Sequence, residues 1–213
     1  IYPIVMGWQW GGGWLAEIGF SDFAGSTLVH STGGAAALAG IMILGPRYGR
    51  FTKAGVPTPI KPFAASSIPL VTIGVFVLWL GWFGFNGGSQ LALGSFADAV
   101  SISTIFINTN LAACGGVLAA AVITRLMFGK TDVVQMLNGA IGGLVAITAE
   151  PLAPSPLSAI LIGAVGGVIV VFGTKLLFSY KLDDVVGAIP AHLLSGIWGT
   201  LAVPLTNSDA TFG

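Results

Sequence analysis

Charged side chains are scarce in this chain, and their scarcity excludes most classes of soluble protein. Lysine, arginine, aspartate and glutamate make up 8% of its 213 residues, against about 25% in an average soluble domain. Hydrophobic residues make up 54%, and the mean hydropathy is +0.92. The composition therefore predicts a membrane protein with several spans. The formal net charge is zero, so we expect no nucleic-acid partner, because nucleic-acid binding depends on a basic surface.

The chain has a single cysteine and no phosphate-binding motif. Cys114 is the single cysteine, which excludes an intrachain disulfide. We expect it to be a small buried hydrophobic residue. None of the glycine-rich stretches is followed by Lys-Ser or Lys-Thr, which excludes a phosphate-binding loop. The chain starts and stops beside apolar stretches, without an initiator Met or a cleavable signal, so we expect it to be the interior of a longer protein.

Six apolar stretches approach or exceed the roughly 20 residues that a helix needs to cross the hydrocarbon core. They lie near 22–45, 64–86, 101–128, 134–150, 157–180 and 184–204. The fourth is the shortest. Residues 1–7 resemble the end of an earlier span. The stretches are rich in glycine and alanine, and such small residues let helices pack closely in lipid.

The basic residues predict how these spans run. Alternation through six spans places all eight lysines and arginines on one side: Arg47, Arg50, Lys53, Lys61, Arg125, Lys130, Lys175 and Lys181. The positive-inside rule makes that side the cytoplasm. The acidic residues expected outside are Glu17, Asp22, Asp98, Glu150 and Asp209.

The chain has only two histidines, and they lie at matching depths in the first and last stretches. His30 is eight residues after Asp22, and His192 is eight residues after Asp184. At 1.5 Å per residue, each imidazole would lie about 12 Å from its own membrane surface. Both would then lie near the middle of a core about 30 Å thick, on helices that run in opposite directions, as in an inverted repeat. An ionisable side chain at such a depth indicates a functional site.

The residues alone leave several interpretations of these histidines open. Each could hydrogen-bond a neighbouring helix separately, or the two imidazoles could pair, one donating and the other accepting. Both could instead be axial ligands of a haem. A metal site would need further ligands, and only Cys114 is available at that depth, so we expect no metal. Asp22, at the start of its stretch, is expected to cap a helix.

Three motifs resemble those of the Amt/Mep ammonium transporters. They are DFAGSTLVH at 22–30, GWFGFNGGS at 81–89 and DDVVGAIPAH at 183–192. The sequence WGGG from Trp10 fits as well, and the order and spacing hold over essentially the whole chain. The first motif has Gly25-Ser26 where the family usually has Gly-Gly. The related Rh branch shares the twin histidines but lacks equivalents of Trp10 and Trp82, so the Amt branch fits better.

The resemblance implies an all-α fold, a polytopic membrane helical bundle with inverted-repeat ammonium-transporter architecture. Residues 1–213 would form one partial transporter domain, from the end of the fourth to the tenth of the eleven spans in each family protomer. It implies a multi-pass protein of the cell membrane that transports ammonium, ammonia or methylammonium and is not an enzyme. The implied partners are the lipid bilayer, two further copies in a homotrimer, and a cytoplasmic PII-type regulator that contacts parts outside this chain.

The resemblance also assigns roles to individual residues, none of them catalytic and none binding a cofactor. Trp10 and Ser89 match the outer ammonium-recruitment site, with Asp22 as an essential acidic residue beside it. Phe85 matches one ring of a paired aromatic gate whose second ring belongs to an earlier span. The residues that match the pore are Trp82, His30 and His192.

Two alternatives to transport follow from the same motifs. An ammonium sensor, in which the transporter fold is fused to a signalling domain, would share all of them. A b-type haem electron carrier would use the two histidines as iron ligands. Without the family, Trp10 would be an interfacial aromatic residue and Ser89 a turn residue.

Overall fold

The computed structural model describes residues 1–51 and 63–207. Lys53, Lys61 and Asp209, which enter the predicted orientation, lie outside the described residues. Within the described ranges the chain forms eight helices: α1 Tyr2–Gln9, α2 Trp14–Glu17, α3 Ser26–Leu44, α4 Ile68–Gly88, α5 Phe96–Phe128, α6 Val133–Ile147, α7 Pro156–Ser179 and α8 Ile189–Thr206. The predicted all-α membrane bundle is confirmed.

Five of the described helices are long and apolar enough to cross a membrane, namely α3, α4, α5, α7 and α8. The stretch predicted as a fourth span forms α6, which has 15 residues. Every residue from 139 to 149 is buried, so α6 and the turn after it lie inside the bundle.

Glycines bring α5, α6 and α7 into backbone contact. A Cβ atom on Gly116 of α5 would lie 2.1 Å from the carbonyl oxygen of Gly139 on α6. A Cβ atom on Gly163 of α7 would lie 2.0 Å from the carbonyl oxygen of Ala112 on α5. Any side chain at either position would force the helices apart. These glycines therefore set the helix spacing at the centre of the bundle.

Capping residues set where the helices begin, and here the structure differs from the hydropathy-based prediction. The third stretch was predicted to start at 101, but α5 begins at Phe96. Ser95 and Asp98 form a capping box, in which each side chain accepts the backbone N–H of the other. This polar first turn extends the helix beyond its apolar part.

The helices alternate in direction, so the bundle has two distinct ends. Arg47, which follows α3, contacts Asp183, which precedes α8. At the opposite end, the side chain of Asn207, after α8, donates to the carboxylate of Glu150, after α6, at 3.0 Å. We call these the basic end and the acidic end, and Asp22 lies at the acidic end.

Candidate functional site

The first histidine motif begins with a carboxylate that holds an entire helix terminus. The two carboxylate oxygens of Asp22 accept backbone N–H groups, at 2.8 to 2.9 Å, from Gly25, Ser26, Thr27 and Leu28. These are four N–H groups that a helix start leaves without a partner. Gly25 has a φ of 115°, a conformation that favours glycine. The predicted cap is confirmed, and because the carboxylate closes a loop, α3 starts at Ser26 and not at 22.

The second histidine motif repeats this construction at the basic end. Asp184 accepts the backbone N–H groups of Gly187 and Ala188 at 3.0 Å and that of Ile189 at 2.8 Å. Gly187 again has a positive φ, 78°. The predicted start of this span at 184 is therefore also too early. Hydropathy gives no sign that Asp184 caps a helix, but the Asp-x-x-Gly spacing that it shares with Asp22 could have revealed this role.

Both histidine helices, α3 and α8, begin with a π-helical turn that carries the histidine. These turns span Ser26–Ser31 and Ile189–Leu194. The wider helical turn is frequent at functional sites. In this chain, the two turns bring the only two histidines together from opposite ends of the bundle.

The two imidazoles are in direct contact. Nδ1 of His30 lies 3.2 Å from Nδ1 of His192, and the ring centroids are 5.2 Å apart with 27° between the planes. One ring must donate and the other accept across this contact. The geometry fits the paired interpretation and leaves no room for a haem iron between the two nitrogens. Nε2 of His30 is buried without a hydrogen-bond partner among the described residues.

Two aromatic rings of α4 complete the surroundings of His30. The Trp82 ring stacks on His30 with centroids 4.9 Å apart and 17° between the planes. The Phe85 ring lies 5.4 Å from His30 and 5.8 Å from Trp82. Trp82 is 6% exposed whereas Phe85 is 38% exposed. The described residues thus enclose Trp82 and leave one side of Phe85 open.

Trp10 and Ser89 both lie at the acidic end of the bundle. The indole N–H of Trp10 donates to the backbone carbonyl of Asp22 at 2.8 Å, and its ring lies against Gly25. Ser89 follows α4, and its hydroxyl donates to the carbonyl of Phe85 at 2.8 Å. The Ser89 oxygen keeps lone pairs that can accept a further hydrogen bond.

Thr148, at the end of α6, is a contact residue that no sequence pattern marked. It is fully buried. Its hydroxyl oxygen accepts the indole N–H of Trp82 at 2.9 Å and donates to the carbonyl of Leu144 at 2.7 Å. Its backbone carbonyl accepts the N–H of Ala24 at 3.0 Å. The end of α6 therefore contacts both the indole of Trp82 and the turn that Asp22 caps.

Small polar side chains join the two histidine helices to each other and to α6. Ser26 donates its hydroxyl to the carbonyl of Val145 at 2.6 Å, and the hydroxyls of Thr27 and Thr200 are hydrogen-bonded. A Cβ atom on Gly196 of α8 would lie 2.4 Å from the carbonyl oxygen of Ser26. This close approach holds α3 against α8 beside the imidazole pair.

The basic end is held by an ion-pair cluster around Asp183. Nε of Arg47 lies 2.7 Å and Nε of Arg50 lies 3.2 Å from its carboxylate. The hydrogen bond from Arg47, followed by the charges of both arginines, holds the pKa of the Asp183 carboxyl below its usual value. The guanidinium of Arg47 also lies 4.9 Å from the ring centroid of Phe63. This cluster links the segment after α3 to the segment before α8.

No group of three or more potential metal ligands comes together within the part of the chain that the structure describes. The imidazole pair uses one nitrogen of each ring in the contact between the two histidines. The two imidazoles form a hydrogen-bonded polar pair inside an apolar bundle. An imidazole can accept a proton at one nitrogen and release one from the other.

Comparison with known proteins finds the same family throughout. The family model described as Ammonium Transporter Family matches residues 1–211. A putative ammonium transporter of Synechocystis is 46% identical over 98% of this chain and 47% of its own length. The ammonium transporter Amt2 of Archaeoglobus fulgidus is 45% identical over 100% of this chain and 46% of its own length.

The fold is also shared with solved structures. One described as a sensor Amt protein aligns with a TM-score of 0.89 and 37% identity, over 96% of this chain and 51% of its own. Mep2 of Candida albicans aligns with a TM-score of 0.84 and 33% identity, over 97% and 44%. The chain spans about half the length of the curated relatives it matches.

Proposed function

The chain belongs to the ammonium transporter family, and we propose that the protein containing it moves ammonium across a membrane past His30 and His192. The observation that carries this proposal is the imidazole pair, with Nδ1 atoms 3.2 Å apart, stacked against Trp82 inside an apolar bundle. Ionisable side chains inside an apolar bundle are costly, so their presence there is an indication of function. The curated relatives are named as transporters, which supports transport over catalysis.

Recruitment of the cation would take place at the acidic end. The Trp10 ring is 40% exposed there, and an aromatic face attracts a cation by about 0.5–2 kcal/mol. The Ser89 oxygen can accept one N–H of the ion. Asp22 adds negative potential while its oxygens hold the helix start, so it need not touch the substrate.

Proton release would follow where the path becomes dry. Moving a bare cation into an apolar bundle is prohibitive, whereas ammonia is neutral and small. We place this step beside Phe85, whose ring centroid lies 5.4 Å from that of His30. Ammonia then passes along His30 and His192, and the imidazole pair offers a route for the released proton.

Several wider features of the proposal come from the family. The open side of Phe85 suits a second gate ring from an earlier span. The basic end, with all described lysines and arginines at or near it, would face the cytoplasm by the positive-inside rule. We propose a multi-pass protein of the cell membrane, assembled as a homotrimer and open to a PII-type regulator on the cytoplasmic side.

The proposal is tested by uptake of labelled methylammonium into cells that lack their own ammonium transporters and express the intact protein. We expect saturable uptake, and Trp10→Leu should raise the half-saturating concentration about threefold to tenfold, since a cation–aromatic contact is lost. Trp14→Leu is the matched control, because Trp14 lies at the same end and is 52% exposed. No uptake by folded wild-type protein in the membrane would contradict the proposal.

An ammonium-sensing module is the second candidate, and the similarity to a structure described as a sensor Amt protein favours it. A sensor would bind ammonium through the same residues and pass the signal to another domain. The transporter and the sensor can be distinguished with purified intact protein reconstituted in sealed vesicles. Ammonium binding in calorimetry without flux into the vesicles would favour the sensor, and flux favours the transporter.

A further inference from the structure

We propose that Thr148 is a positioning residue for the histidine path, because its hydroxyl holds the indole plane of Trp82 over His30. The inference rests on the proposed function for its transport readout. It concerns a residue outside the three motifs, on a helix that carries no pore side chain.

The first step is the hydrogen bond itself. Trp82 is 6% exposed and its indole nitrogen can only donate. Its acceptor is the hydroxyl oxygen of Thr148, 2.9 Å away. If the ring turned about its side-chain bonds, the indole N–H group would lose this acceptor and be buried without a partner, which costs free energy. The hydrogen bond therefore fixes the plane of the ring.

The second step is the direction of the Thr148 hydroxyl. Its own proton is directed to the carbonyl of Leu144 at 2.7 Å, one turn earlier in α6. The hydroxyl oxygen therefore presents a lone pair toward Trp82, as an indole donor requires. The hydroxyl of serine or threonine can donate to the helix backbone and accept from an indole at the same time.

The third step is what the indole plane does. The Trp82 ring lies within 17° of parallel to the His30 imidazole, with centroids 4.9 Å apart. The same imidazole also packs against His192, with ring centroids 5.2 Å apart. A tilt of the indole would push on His30, and so would change the contact between the two histidines.

The fourth step is that Thr148 also anchors the helix of His30. Its carbonyl accepts the N–H of Ala24, two residues after Asp22. The same residue thus fixes one neighbour of His30 through its side chain and the turn that precedes His30 through its backbone. A side-chain substitution leaves the second bond intact and isolates the first.

The experiment is a double-mutant cycle for methylammonium uptake by the intact protein. Thr148→Val keeps the shape but removes the acceptor, and we expect the maximal rate to fall about tenfold, with a smaller change in half-saturating concentration. Thr148→Ser keeps the hydroxyl and should stay within about threefold of the wild type. In a Trp82→Phe background, Thr148→Val should cause no further loss, because phenylalanine has no N–H group.

Thr124→Val is the matched control. Thr124 is also fully buried and donates to the carbonyl of Ala120, one turn earlier in α5, at 2.7 Å. It should show equal effects in both backgrounds. An equal loss from Thr148→Val with tryptophan or phenylalanine at position 82 would overturn the inference, since Thr148 would then act on the fold alone.

The same cycle is read in the thermal unfolding temperature of purified protein. If folded wild-type protein takes up no methylammonium, the proposed function is wrong. The unfolding temperatures still test the hydrogen bond between Thr148 and Trp82. Additive shifts overturn the inference and non-additive shifts support it. Should Thr148→Val not fold, Thr148→Cys, whose thiol is a weak acceptor, replaces it in both backgrounds.

Discussion

The two histidine motifs have the same spacing, but they are anchored by different forces. Asp22 accepts four backbone N–H groups and is 1% exposed. Asp184 accepts three and is partly exposed. The missing fourth bond has a simple cause. Leu28 lies six residues after Asp22, and the residue six after Asp184 is Pro190, which has no N–H.

The surroundings of the two motifs differ as well. At the acidic end, the backbone N–H groups of Phe23 and Ala24 donate to the carbonyls that end α6, at 2.7 and 3.0 Å. At the basic end, Asp183 takes part in ion pairs with Arg47 and Arg50. A repeated local motif can therefore be held by buried backbone bonds at one end and by partly exposed charges at the other. We expect the acidic end to be the more rigid, because ion pairs whose arginines reach solvent are more sensitive to salt than buried backbone hydrogen bonds.

The largest expected loss of stability comes from removing the carboxylate of Asp22, which accepts four hydrogen bonds. Asp22→Ala leaves four N–H groups without their acceptor and should lower the free energy of unfolding by about 3 kcal/mol. Asp184→Ala should cost about 2 kcal/mol, since three bonds are lost in a wetter site. Asp22→Asn keeps a capping oxygen and should retain more folded protein than Asp22→Ala. Thermal unfolding of the purified intact protein measures all three, and equal losses at both aspartates would remove the distinction.

The imidazole pair tests whether the two motifs act as one unit. Replacing either His30 or His192 by alanine leaves the other ring without its partner, at about 1–3 kcal/mol, and the cost should be larger when the buried His30 ring remains. The double variant should cost less than the sum of the two, because no unpaired ring remains. In the same variants, proton-coupled current and ammonia flux should no longer change together.

His192→Glu, which keeps a titratable group, should retain more activity than His192→Ala. Recordings on supported membranes, beside uptake of labelled methylammonium, provide the comparison. Additive stability losses with an intact proton current would show that the two rings do not act together.

A smaller effect should appear at the basic end when the pH is lowered. The pKa of Asp183 is held below its usual value, first by the hydrogen bond from Arg47. Its contribution to stability is therefore complete above about pH 4, the unfolded value, and is lost as the pH falls through the lower folded value. Asp183→Asn should flatten that part of the stability curve, and so should Arg47→Ala. An unchanged curve in both variants would mean that the ion pairs add nothing to stability.

The smallest expected effect comes from giving the second motif the backbone N–H group that Pro190 lacks. Pro190→Ala supplies an N–H group where Leu28 has one in the first motif. If it reaches the Asp184 carboxylate, the loss caused by Asp184→Ala should grow by about 1 kcal/mol in this background. The control is Pro204→Ala, a proline within α8 outside the motif. The same loss with and without Pro190 would show that the proline does not account for the difference between the motifs.

Much of this architecture could be read from the order of residues. Scarce charges and apolar stretches predict the membrane helices, and the identical spacing of Asp22 to His30 and Asp184 to His192 predicts that the imidazoles lie at one depth. The caps are local as well, because each carboxylate reaches N–H groups three to six residues ahead. The helix starts were placed too early at 22 and 184, since hydropathy does not record where a carboxylate closes a loop.

Tertiary structure alone decided the contacts between distant segments. Thr148 meets Trp82 across 66 positions, and Arg47 meets Asp183 across 136. Neither Thr148 nor Arg47 lies in a distinctive local pattern, since buried threonines and loop arginines are common in membrane bundles. Glycine contacts such as Gly116 with Gly139 determine how closely the helices approach, and that spacing brings these side chains within hydrogen-bond distance. Local spacing specifies bonds within one helical turn or two, whereas partners across the bundle depend on how the helices pack.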